Sequence, residues 1–143
     1  MKKRTFIAPV LCTLALCTGL LAAGQRSPQP QVTQQLKADL PQLTQAAQAL
    51  LAGEPAQIPH GWTGAEVFGD VVCFDYGGWG FGSSTRYWGV TYVPGDYPVG
   101  FQGISLTGAV PSGEGWLWTE PQGDNRCYVQ RLAPCWYYYD MKF

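Results

Sequence analysis

Apolar positions along the chain follow two different rhythms. Leu36, Leu40, Leu43, Ala47, Leu50 and Leu51 recur every third or fourth residue, with Gln and Thr filling the opposite face. That spacing predicts one amphipathic helix over 39–52, packed on the domain that follows it. Asp39 is placed to cap it, Pro41 falls in its first turn, and Gly53 supplies a stop. From Ile58 onward, short apolar runs alternate with Gly, Pro and Asp, which is strand and turn chemistry.

The runs Ala65–Phe68 and Val71–Tyr76 flank Gly69-Asp70, a two-residue hairpin signal. Arg86–Val93 alternates, with Trp88, Val90 and Tyr92 on one face. Pro94-Gly95 suits a type II turn into a strand over Tyr97–Gln102. Trp116–Thr119, Arg126–Leu132 and Trp136–Asp140 complete the set, the last two joined through Ala133-Pro134-Cys135. The expectation is an α+β fold: one N-terminal helix on a mostly antiparallel sheet or small sandwich of about six or seven strands. Residues 36–143 form its single domain, with the β region over 58–143.

Upstream, the pattern changes again. Lys2, Lys3 and Arg4 precede an uncharged, largely apolar run from Thr5 to Ala23, closed by small residues. Residues 1–24 therefore read as a signal peptide, or as an N-terminal membrane anchor if not cleaved. A lipobox reading of Cys17 is disfavoured by Leu16 before it and by Leu20 and Leu21 beyond it. Residues 25–35, rich in Gln and Pro, are expected to be a flexible spacer. Signal, spacer, helix and a Gly- and Trp/Tyr-rich β domain together resemble small uncharacterised exported bacterial proteins. No motif of a named family accompanies that likeness, so it assigns no functional residue.

Composition sharpens the picture. The 143 residues allow one modest domain, and 13% are charged while 14% are aromatic. A formal net charge of −1 gives no electrostatic case for nucleic acid. Nineteen of the 20 aromatic residues lie in 60–143. Large rings supply the core that so short a β region otherwise lacks.

Candidate chemistry is sparse. His60 is the only histidine, set in a loop between Pro59 and Gly61. A thiol nucleophile would require Cys73 to meet it in space. Three scattered cysteines, Cys73, Cys127 and Cys135, lack metal-ligand spacing. The hairpin reading keeps Cys127 and Cys135 too far apart for a disulfide. The run Gly77-Gly78-Trp79-Gly80-Phe81-Gly82-Ser83-Ser84 fails as a phosphate loop, since no Lys-Ser/Thr and no helix follow it. Asp70, Asp96 and Asp124 stand beside Gly or Asn in turns, where Asp is common for backbone reasons, and no pair of acids is placed across a cleft by the sequence. No catalytic residue, metal or cofactor is assigned, and a small hydrolase ranks last.

Aromatic surface is the remaining signal. Trp79, Phe81, Trp116, Trp118, Trp136 and Tyr138 are the candidate ligand-binding residues, because one aromatic face of each strand is expected to point away from the core. The expected function is a non-catalytic exported domain holding a glycan, peptide or envelope partner. The alternative is a structural or assembly role with the aromatics internal. Membrane contact is expected only through residues 5–23, if that segment is not cleaved.

Overall fold

The computed structural model describes residues 27–143. The segment expected to act as signal or anchor lies outside the described residues.

Helix α1 runs over Gln29–Leu51, ten residues earlier than the periodicity suggests. The spacer expectation for 25–35 is corrected from Gln29 onward. Val32, four residues before Leu36, extends the apolar stripe, and Val32, Leu36, Leu43, Ala46 and Ala47 are all buried. Pro30 sits in the true first turn, where a missing N–H costs little. Asp39 is therefore mid-helix. Its carboxylate accepts from the Gln35 amide at 2.7 Å and from the Trp62 indole N–H at 2.9 Å, tying α1 to the chain that follows. Pro41 also falls inside the helix, on its solvent side. The helix ends as expected at Gly53 (φ +76°). Gly53 N–H donates to Leu50 O and Glu54 N–H to Ala49 O, which satisfies carbonyls of the last turn.

Seven strands follow: β1 (Gly64–Phe68), β2 (Val71–Phe81), β3 (Ser84–Tyr92), β4 (Val110–Ser112), β5 (Gly115–Thr119), β6 (Arg126–Ala133) and β7 (Trp136–Lys142). All pairings are antiparallel, in one sheet of order β1-β2-β3-β7-β6-β5-β4. Two meanders, β1–β3 and β4–β7, are thus joined along the β3–β7 seam. The α+β expectation holds, with a helix on one sheet rather than a sandwich.

The expected strand at Tyr97–Gln102 does not form. Chain leaving the middle of the sheet must reach its far edge, and residues 94–109 do so by crossing one face as a strap. That strap holds a single 3-10 turn at Phe101–Gly103. The turn into it closes by Asp96 N–H donating to Val93 O, and Asp96, rather than Gly95, takes the left-handed conformation (φ 52°). The short edge strand β4 has no counterpart in the sequence reading.

The sheet is covered on both sides. Helix α1 packs on Val72, Phe74, Val90, Trp136 and Tyr138. The strap places Val99 and Phe101 over Cys73, Cys127, Val129, Tyr137, Tyr139 and Met141. These two layers are built from residues 32–141, so a chain starting at residue 25 carries the whole described core. No buried side-chain N or O atom among the described residues lacks a partner.

Candidate functional site

Two layers of cover decide the fate of the six candidate aromatics. On β7, neighbours alternate between faces, and both faces are buried. Trp136 (2% exposed) and Tyr138 (0%) lie under α1, while Tyr137 and Tyr139 lie under the strap. The expectation that one of these pairs points to solvent is corrected. Trp116 and Trp118 do share a face, opposite Val129 and Cys127 of β6, but are half-buried against the strap-side core. Their role is packing at the margin of that layer. Only Trp79 (59% exposed) and Phe81 (95%) stand out from the surface.

These two belong to an arm that the sequence reading treats as a loop. Strands β2 and β3 continue pairing through Gly77↔Trp88, Gly78↔Tyr87, Trp79↔Arg86, Gly80↔Thr85 and Phe81↔Ser84. Strand β1 reaches no further than Gly64, opposite Asp75, and β7 ends with Lys142 opposite Arg86. Gly77–Phe81 therefore has no outer neighbour, and the tip projects past the sheet as a two-stranded ribbon.

The glycines make the ribbon possible. The Trp88 indole lies over Gly77 and the Tyr87 ring over Gly78. A Cβ there would fall 2.8 and 2.7 Å from those rings. A bulge at Asp75–Gly77 inserts Tyr76 as an extra residue and turns the arm out of the sheet. Tyr76 packs edge-on against Trp62, ring centroids 5.3 Å apart. Beside the arm's base is an open cleft of about 500 Å³ lined by Thr63, Asp75, Gly77, Gly78, Trp79, Gly80, Thr85 and Tyr87. A second groove, about 520 Å³, lies between the C-terminal half of α1 and residues 55–60.

Charge near the arm is organised by register. Trp79 faces Arg86, Arg86 faces Lys142, and Lys142 faces Arg126. Paired residues in a ladder point to the same side, here the α1 side, since Trp88 and Val90 follow Arg86 in alternation and pack in that layer. Arg86 is held by Asp140 through two parallel hydrogen bonds, Nε to Oδ1 at 2.7 Å and Nη2 to Oδ2. Its guanidinium also lies 5.6 Å from the Trp88 ring centroid. Lys142 and Arg126 are exposed.

The other polar groups are structural in arrangement. Asp96 accepts from Arg131 Nε at 3.1 Å, from Cys135 N–H at 2.9 Å and from the Tyr137 hydroxyl at 3.0 Å. Arg131 above all, then the Cys135 N–H, hold the Asp96 carboxyl well below the usual carboxylate range. The Tyr139 hydroxyl donates to Asp75 Oδ1 beneath the strap. Cys73 and Cys127 are buried, and burial pushes their thiols up, Cys127 to about 11. That is the opposite of an activated nucleophile. His60 is exposed. All three described cysteines are free: Cys127 pairs with Met141 and Cys135 sits in the hairpin turn, as the sequence reading places them. No group of three His, Cys, Asp or Glu side chains among the described residues could hold a metal.

No protein-family model, curated protein or solved structure matches this chain.

Proposed function

We propose that this is a non-catalytic exported domain that grips a partner in the cell envelope through the aromatic arm. The observation that carries the reading is Phe81, 95% exposed at the tip of a ribbon that no third strand supports. Tyr87, Tyr97 and Phe143 are exposed only to 37–42%, so Trp79 and Phe81 are the most uncovered rings among the described residues, and together on one arm they call for a surface to meet them. Burying one such ring on contact contributes about 1.5–3 kcal/mol. Export is read from residues 1–24, whose basic start and apolar run suit a signal or anchor.

The test is retention of a protein of residues 25–143 on washed bacterial envelope fragments. Wild-type protein is expected to stay bound, and Trp79→Ser/Phe81→Ser to wash off. Both positions are exposed, so the double variant keeps its fold, checked by circular dichroism. Equal retention of the two proteins would sink the reading. A structural role with internal aromatics is the second reading, favoured by the burial of Trp136 and Tyr138. It predicts that equality.

A further inference from the structure

The arm and the cationic row share one end of the sheet, and the start of α1 lies there too. Five Lys and Arg residues fall within the described residues, and three of them, Arg86, Lys142 and Arg126, stand in one cross-strand row. With strands spaced about 4.8 Å apart, the row spans about 14 Å from Trp79 to Arg126. Asp140 neutralises Arg86, which leaves Lys142 and Arg126 as the available charges. Glu120 and Asp124 belong to the β5–β6 turn, at the end of the row away from Trp79, and Glu120 folds back over Gly123. Between Asp75 and Arg86 the chain carries no charge at all. One surface therefore presents an uncharged aromatic tip beside a pair of cations, in a chain whose residues 25–143 hold six basic against ten acidic groups.

The start of α1 fixes how this end is oriented. The Tyr138 hydroxyl donates to Asp140 at 3.4 Å, and Ser27 lies close to that hydroxyl. The Gln29 side chain donates to Gln130 Oε1 at 2.6 Å. Ser27 thus stands beside the Arg86–Asp140 pair. Only residues 24–26 separate it from the apolar run of 5–23.

We propose that this end of the domain rests on a bilayer containing anionic lipid. Phe81 and Trp79 enter the interfacial zone, and Lys142 and Arg126 pair with headgroup phosphates. The proposal rests on the reading of the arm as a contact surface and names what it meets. A Trp at the headgroup level with a Phe deeper follows the amphipathic preference of the two rings. The cations supply charge complementarity. Membrane contact then extends beyond residues 5–23, and a run retained in the bilayer would hold the arm against it.

Flotation with lipid vesicles tests this, using residues 25–143 so that the apolar run cannot contribute. Vesicles of phosphatidylcholine alone are compared with vesicles of phosphatidylcholine and phosphatidylglycerol. Wild-type protein is expected to float at least about tenfold better with the anionic vesicles, as two cations imply. Arg126→Gln and Lys142→Gln should each weaken binding about fivefold. Trp79→Ser/Phe81→Ser should abolish it. No flotation with anionic vesicles, or flotation unchanged by the double aromatic variant, would overturn the proposal. Arm-dependent retention on envelope fragments stripped of lipid by detergent, without flotation, would remove the lipid and leave the arm as contact surface. Retention and flotation that both ignore the arm would remove the two readings together.

Discussion

Trp79 and Arg86 are direct cross-strand partners on the ribbon formed by β2 and β3, and they meet different fates. Arg86 is drawn back onto the sheet by Asp140 and Trp88. Trp79 lies beyond Gly64, the first residue of β1, has no such neighbour and stays exposed. The boundary between core and contact surface runs between these two side chains. Asp140→Asn should blur it. Losing the carboxylate charge leaves the half-buried guanidinium without its counter-charge, costing about 3 kcal/mol. A urea titration of the variant against wild type measures this, and an unchanged midpoint would show the pair to be dispensable.

The sheet tolerates no side chain at Gly89. A Cβ there would fall 2.1 Å from the Phe74 carbonyl and 2.7 Å from the Tyr139 hydroxyl. Gly89→Ala forces β2, β3 and β7 apart and is expected to cost about 3 kcal/mol. Chemical denaturation that finds less than about 0.5 kcal/mol would mean that the three strands do not approach as described.

Asp96 makes stability depend on pH in a defined direction. Its carboxyl titrates lower in the folded protein than in the unfolded chain, because the charged form is held by Arg131 and the Cys135 N–H. The contribution is complete above the unfolded carboxylate value, about 3.9. It is lost as pH falls through the folded value. Wild-type protein should therefore melt higher than Asp96→Asn at pH 7, and the gap should close as the pH is lowered below 4. Thermal melts across that range decide the point, and a gap independent of pH would contradict it.

Thiol reactivity separates the cysteines. Cys73 and Cys127 are buried, and the Cys127 thiol is pushed up to about 11, while Cys135 lies half-exposed in the β6–β7 turn. At pH 8 a thiol reagent should label Cys135 quickly in the folded protein of residues 25–143, and all three only after denaturation. Labelling of two or more in the native state would mean that the strap opens readily.

Much of the fold was legible because its signals are local. The helix stripe, the Gly69-Asp70 hairpin, the alternation of Trp88, Val90 and Tyr92, and the Ala133-Pro134-Cys135 turn each lie within a few residues. What could not be read depends on distant partners. Gln29–Gln35 looks like a spacer until Val32 is seen under the sheet. Tyr97–Gln102 has strand composition, but its place over the sheet is set by where β4 must start. Trp136 and Tyr138, with their neighbours Tyr137 and Tyr139, are too many rings for one core, yet a strap and a helix make two cores. The arm was half legible: Trp79 and Phe81 stood out as aromatics among glycines. The rings of Tyr87 and Trp88, lying over Gly78 and Gly77, turn that run from a loop into a ribbon.

The most direct test of the central claim follows the Trp79 indole itself. Emission of wild-type residues 25–143 is compared with that of Trp79→Phe as vesicles prepared from envelope membranes are added. All six tryptophans lie between residues 62 and 136, so the difference between the two spectra isolates Trp79. A saturable blue shift is expected in wild type and not in Trp79→Phe. An identical shift in both proteins, or no shift in either, would contradict the assignment of the arm as the contact surface.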